Sequence, residues 1–461
     1  MFEHNSCLKI ASQAAEGELP LSSAIKAARQ MPPHREIKTV GLYFWGIPDD
    51  GNGAVYVIKT LSELLSKMGL RVCVLTEDEP SEQDVSLSAE RFVVPKIADE
   101  FSAEGRKKRM RDLAAILQAQ SIDLLIDNQF YSPLVPWNGI AAKSCGCRYV
   151  VYDHGYLVSW MCKPEAVFAD RLQWLRVCDA VVSLTEAGKR FYDCIGIPAI
   201  VMPNPPTCAC GEKRGQQPKK RVLWLGRLDP EKKPLDALCA FAMLHDRCAD
   251  AELFVAGDGD LMAQAQEYAA KERLQNVRFL GFQADKESLF AQADVLLMTS
   301  ESESWSLSLH EALAHGIPAV CYDLPNLDIL HEDCGVMAAA QDDAQALSDA
   351  LFAVLTDEAL YGKLSENAIK AYKNYCSFDF SGAWKDFLQR MNEDMAFDLL
   401  LPVDDATRAL VQTMARYHSV GMQTVCAENE RLKPLAARGK SAAYKLGAAM
   451  TWLPRKLLKR G

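Results

Sequence analysis

The sequence predicts an α/β protein made of two successive doubly wound domains. Three observations carry this. Short β-rich apolar runs alternate with segments of helical periodicity; the alternation stops at a Pro/Gly/Lys-rich stretch near residue 205 and then restarts; and no short-period repeat is present. Two Rossmann-like domains of this kind face one another across a cleft, and ligands bind outside the carboxyl ends of the strands. Function is therefore sought in the loops that follow strands.

Residues 1–36 read as a helical leader, loosely attached, and residues 37–205 as the first domain. "IKTVGLYFWGI" (37–47) is a β-rich run bounded by "PDDGNG", and Val57, Leu61, Leu64, Leu65 and Met68 then recur at helical spacing up to Gly69. "RVCVLT" closes a β-loop-α-β unit. The pattern continues with a helix around 105–120, strand "DLLIDN", a helix around 134–145, strand "RYVVYDH", a helix from about 165 to 177, strand "AVVSLT", a helix over 186–194 and strand "AIVMPN". Residues 206–220 read as a linker. The second domain, 221–377, repeats the alternation through "RVLWLG", "AELFVAG", "VRFLGF", "ADVLLMTS" and "PAVCYD", with helices over 234–246, 260–270, 285–291, 307–315 and near 343–356. A crossover helix, 378–392, returns to the first domain, and 393–461 forms a helical, basic tail.

Composition fits a folded enzyme-sized chain: 461 residues, 49% hydrophobic and 24% charged. No run reaches the roughly 18 apolar residues that span a bilayer, and the N-terminus lacks the charged and apolar regions of a signal peptide, so a cytoplasmic protein is expected. The fifteen cysteines are scattered without a C-x-x-C or zinc-spaced histidines, which suits reduced thiols. Net charge is −10, yet nine Lys/Arg and no acid lie from Arg431 onward. With Trp452, Leu453, Leu457 and Leu458 among them, residues 431–461 suit an amphipathic segment on an anionic membrane surface; the alternatives are a solubilising tail or a subunit contact. Nothing points to a nucleic-acid partner.

Several loops after strands carry chemistry. Gly51 and Gly53 stand between a strand and a helix N-terminus, where a backbone can approach an anion, or simply turn. "WLGRLDPEKKP" sets Arg227 and Lys232 after a strand, a fork and a point charge able to hold a diphosphate; a solvated loop with local pairing is the alternative. His154 ends "VVYDH", where it can serve as acid, base or hydrogen-bond donor, or be structural. "VAGDGDL" lacks the third glycine of a dinucleotide fingerprint. In "MTSESESWSLSLHEALAHGIPAV", Glu303 lies in the loop after a strand, and Glu311 lies a turn inside a nearly all-apolar helix. A carboxylate there needs a hydroxyl-bearing ligand or a backbone partner.

Together these segments resemble retaining glycosyltransferases of the GT-B fold, family 4 or group 1. Glu303 and Glu311 match the family's E-x7-E motif, "GRLDPEKK" matches its GR-L-x-x-x-K-G segment, and the motif order agrees over roughly residues 38–390. The resemblance implies a nucleotide-diphosphate sugar as co-substrate, no cofactor and no bound metal, and transfer to a glycan or lipid-linked acceptor in bacterial surface polysaccharide assembly. It implies that Arg227 and Lys232 grip the diphosphate, that Glu311 binds the ribose, and that Glu303 with the backbone of Trp305, Ser306 and Leu307 holds the sugar and phosphate. Phe282 would meet the nucleobase, Gly51 and Gly53 the phosphates, and His154 the sugar or acceptor side. It also implies front-face displacement, in which the leaving phosphate oxygen takes the acceptor's proton. A soluble transferase of small acceptors, or a non-catalytic nucleotide-sugar-binding protein of the same fold, are the alternatives. The chain departs from the family where Ser304 and Ser306 replace the glycines of "E-G-F-G" and Lys233 replaces the glycine after Lys232.

Overall fold

The computed structural model describes residues 6–33, 36–48, 52–155, 171–212, 218–324, 326–331 and 333–393. Gly51 and the basic tail lie outside them.

Two helices, α1 (Ser6–Ala15) and α2 (Leu21–Arg29), precede the first sheet. That sheet takes strands β1 (Thr39–Phe44), β2 (Arg71–Thr76), β3 (Glu90–Val93), β4 (Leu124–Asp127), β5 (Arg148–Asp153), β6 (Ala180–Ser183) and β7 (Ala199–Val201) in the order β3-β2-β1-β4-β5-β6-β7, with every pairing parallel. Helices α3 (Gly53–Lys67), α4 (Ala103–Ala119), α5 (Val135–Ser144) and α6 (Glu186–Ile195) connect them. The second sheet has strands β8 (Arg221–Leu225), β9 (Glu252–Ala256), β10 (Val277–Gly281), β11 (Val295–Met298), β12 (Ala319–Tyr322) and β13 (Val336–Ala339), ordered β10-β9-β8-β11-β12-β13 and again parallel. Its helices are α7 (Pro234–His245), α8 (Met262–Lys271), α9 (Lys286–Gln292), α10 (Leu307–Ala314), α11 (Ala344–Thr356) and α12 (Glu358–Cys376).

Both strand orders reverse direction beside the first strand of their sheet, and such switch points open a crevice at the strands' carboxyl ends. Each sheet is buried on both faces, which explains why its strands read as unbroken apolar runs rather than alternating ones. The leader is not loosely attached: Leu8, Ala11, Ala24, Ile25 and Ala28 are buried in the same core as Met110, Leu113 and Ile140 of α4 and α5. Its small residues let α1 and α2 lie close to each other and to that layer, a packing that composition alone does not reveal. Three further elements escape periodicity, the edge strands β3 and β13 and the long helix α12.

The last described helix, α13 (Phe380–Asn392), places Trp384, Phe387, Leu388 and Met391 in the core formed by α3 and one face of the first sheet. Asn392 accepts a hydrogen bond from the Ile37 backbone at 2.8 Å, closing the helix against the start of the first domain. Burying each of these side chains is worth about 2 kcal/mol, so α13 belongs energetically to the first domain although it follows the second. Among the described residues no helix is long and apolar enough to cross a membrane.

Candidate active site

Between the carboxyl edges of the two sheets lies a cleft of about 650 Å³, lined from both domains. His154, Arg227, Lys232, Phe282, Glu303, Trp305, Ser306, Leu307 and Gly53 all line it. Sequence reasoning also named Glu311, which sits one turn behind this surface, and Gly51, which lies outside the described residues.

The Arg227–Lys232 loop is held by backbone packing. Gly257 has φ +138°, and a Cβ there would lie 1.8 Å from the Gly226 carbonyl, so the "GDG" glycines serve to let two loops meet backbone to backbone. Leu228 N–H then donates to Asp258 O at 2.9 Å, and Asp229 accepts from Lys232 N–H at 3.0 Å. The Thr299 hydroxyl is shared between the carbonyls of Lys232 and Lys233 at 2.8 and 2.9 Å. Fixed in this way, Lys232 Nζ reaches Glu303 Oε1 at 2.7 Å, and the Ser300 hydroxyl donates to the same oxygen at 2.7 Å. Arg227 stays 75% exposed, 3.0 Å from Asp229, with its guanidinium at the mouth of the cleft.

Two of the three positions where the family motif has glycine hold a left-handed backbone despite their side chains. Lys233 has φ +46° and Ser306 has φ +55°, the left-handed region that glycine occupies without strain. Ser306 compensates by capping α10, its hydroxyl accepting from Leu309 N–H at 3.4 Å. Ser304 uses its hydroxyl differently, donating to the His154 carbonyl at 2.6 Å across the cleft. Trp305 stacks on His310 with ring centroids 4.3 Å apart, and it also packs against the first domain's core. Gly53 meets this wall directly, since a Cβ would come 3.2 Å from the Leu307 side chain.

Glu311 is buried on α10 and pairs with Lys286, whose Nζ lies 3.3 and 3.4 Å from the two carboxylate oxygens. Sequence reasoning missed Lys286. It occupies the first turn of α9, after β10, so the rule that picked out Arg227 would have found it. His154 was read as a candidate acid or base. Burial drives its imidazole down to about 3, which leaves a neutral hydrogen-bonding group at neutral pH. Asn128, fully buried, spends its amide N–H groups on the Tyr43 and Ile126 carbonyls, so its Oδ1 faces His154 Nε2 at 2.7 Å and fixes the proton on that nitrogen. Among the described residues no group of three or more His, Cys, Asp or Glu side chains is placed to hold a metal ion.

Residues 51–205 match the model of Glycosyltransferase Family 4, and residues 212–371 match that of Glycosyl transferases group 1. The poly(glycerol-phosphate) alpha-glucosyltransferase of Bacillus subtilis is 27% identical over 178 residues, 38% of this chain and 26% of that protein. The GalNAc-alpha-(1->4)-GalNAc-alpha-(1->3)-diNAcBac-PP-undecaprenol alpha-1,4-N-acetyl-D-galactosaminyltransferase of Campylobacter jejuni is 29% identical over 205 residues, 43% of this chain and 56% of that one. The chain therefore spans between a quarter and just over half the length of these relatives. In fold it is similar to a mutant of S. aureus TarM crystallised with fondaparinux, alpha-GlcNAc-glycerol and UDP (TM-score 0.64, 10% identity, 77% of this chain and 100% of that one). It is also similar to Anabaena HepE with UDP and glucose (TM-score 0.60, 17% identity, 77% and 99% covered). Two parallel doubly wound domains, the first matching family 4 and the second group 1, place the chain among the glycosyltransferases of GT-B fold.

Proposed function

We propose that the protein is a retaining, metal-independent glycosyltransferase that moves a sugar from a nucleotide-diphosphate sugar to a glycan or lipid-linked acceptor in bacterial surface polysaccharide assembly. The observation that carries this reading is the convergence of Arg227, the Lys232–Glu303 pair and the start of α10 on one wall of an interdomain cleft. Lys232, held by its loop, Arg227 at the cleft mouth and a helix N-terminus supply countercharge where a diphosphate leaving group gains charge.

In this reading Arg227 and Lys232 hold the diphosphate, and the Glu303 carboxylate orients Lys232 while facing the donor sugar. The ribose hydroxyls reach Glu311, displacing or sharing Lys286, and Phe282, 60% exposed at the rim, offers a face to the nucleobase. No side chain is needed as nucleophile. The acceptor hydroxyl attacks on the face that the diphosphate leaves, and its proton passes to the departing phosphate oxygen, so the protein's contribution is positional and electrostatic. The named relatives are a poly(glycerol-phosphate) glucosyltransferase and a transferase of an undecaprenol-diphosphate-linked GalNAc glycan, which supports the acceptor class. Residues 431–461 would hold the enzyme at the inner face of the membrane, and their deletion should release it from anionic vesicles.

A thermal-shift screen with UDP, GDP, ADP and CMP sugars tests the reading. A donor at 100 times its dissociation constant adds about 2.7 kcal/mol of stability. The expected result is a clear shift with one nucleotide class, and no shift with any of them counts against the proposal.

A further inference from the structure

The two walls of the cleft differ in kind. The second domain's wall carries Arg227, Lys232, Asp258, Lys286 and Glu303. Of the ten described residues on the first domain's wall, four are aromatic and none is a Lys, Arg, Asp or Glu. The aromatics come from two places, Phe44 and Trp45 at the end of β1, and Phe130 and Tyr131 just after β4. Each pair is braced internally: Phe44 and Trp45 lie 5.5 Å apart at 43°, and Phe130 and Tyr131 5.3 Å apart, edge to face at 89°. The polar groups beside them are the amides of Asn52 and Asn204 and the imidazole of His154, which the buried Asn128 fixes in one tautomer.

These surfaces select by charge. An anion brought against these ten residues loses hydration and meets no lysine or arginine among them. The cations opposite are no substitute, because under the proposed function Arg227 and Lys232 hold the donor's diphosphate, and Lys286 is paired with Glu311. A pyranose has the complementary surface: an apolar face of C–H bonds for an aromatic ring, and rim hydroxyls for amides and a neutral imidazole. We infer that the reacting end of the acceptor is an uncharged glycosyl unit, seated with its C–H face on Trp45 and Tyr131, and not a phosphorylated polyol or a hydroxy acid.

This inference rests on the proposed function, so the test keeps the two apart. The full chain, with the donor found in the nucleotide screen, is assayed against methyl pyranosides and a neutral oligosaccharide, and in parallel against glycerol 3-phosphate, malate and inositol 1-phosphate. Transfer to the neutral set is expected, with Trp45→Ala and Tyr131→Ala each raising the acceptor KM roughly tenfold, the scale of one lost aromatic contact. Trp45→Phe, which retains an aromatic face, should recover most of that loss. Preference for the anionic set, or an unchanged acceptor KM in both alanine variants, would overturn the inference and leave the donor reading standing. Absence of donor hydrolysis with every nucleotide sugar would overturn both.

Discussion

The Ser304 hydroxyl, on the second domain, donates to the carbonyl oxygen of His154, on the first, at 2.6 Å. One hydrogen bond of this kind contributes about 1 kcal/mol. Ser304→Ala removes it without altering the backbone, so donor affinity is expected to fall about fivefold if the ligand binds the closed arrangement. Calorimetric titration of the donor measures this, and the thermal midpoint should move little. Unchanged affinity would mean that the contact does not hold the cleft together.

Ser306 stands at φ +55°, where a side chain costs about 1 kcal/mol and glycine costs little beyond its own flexibility. Its capping bond is long, 3.4 Å, and glycine is nearly as good an N-cap. Thermal midpoints should therefore rank Ser306→Gly above wild type and Ser306→Val below it. A lower midpoint for the glycine variant would show that the serine's contacts with Leu309 and Met298 outweigh the strain.

Lys286→Met strands the buried Glu311 carboxylate. Because the Lys286 side chain is 36% exposed and its charge screened, the loss of stability should be about 1 kcal/mol, less than for a fully buried pair. Adding Glu311→Gln should restore stability, since a neutral amide needs no cation, yet it should not restore nucleotide affinity. A double-mutant cycle by urea unfolding reads the first effect and nucleotide titration the second. Additive losses of stability would argue against the pairing.

His154 and His310 are pushed by burial to about 3 and about 4, from 6.5 in an unfolded chain. Within that window the unfolded chain binds protons that the folded chain excludes, so stability rises with pH and is complete above about pH 6.5. Each histidine contributes at most about 1.4 kcal/mol per pH unit. The urea midpoint of the wild type should fall between pH 7 and pH 5, and His310→Phe, which keeps a ring against Trp305, should flatten that fall. Equal slopes in the two proteins would mean that His310 does not titrate on unfolding.

The doubly wound fold was legible because buried parallel strands leave continuous apolar runs, and because the glycine turns at Gly257 and Gly316 mark loop and helix ends. The leader's docking was not, since alanines such as Ala11 and Ala24 look the same in solvent as in a tight helix contact. In the site, Arg227, Lys232 and Glu303 could be found because each sits in a loop after a strand. The Lys286–Glu311 and Ser304–His154 contacts join segments 25 and 150 residues apart, and such long-range partners leave no local pattern. Lys233 and Ser306 show a different limit: a left-handed backbone set by the surrounding loop persists when the residue type that usually signals it is gone.

Helix α13 has a further consequence for how the protein is made. The first sheet leaves the ribosome early, but the core over one of its faces is incomplete until Trp384, Phe387, Leu388 and Met391 have been translated. During synthesis of the whole second domain, an apolar surface of the first stays uncovered and open to chaperones or to misassociation. A stop codon between residues 205 and 384 would leave every described residue of the first domain's wall of the cleft encoded, yet that domain would remain unfinished. The first domain is thus completed only by a helix made after the second.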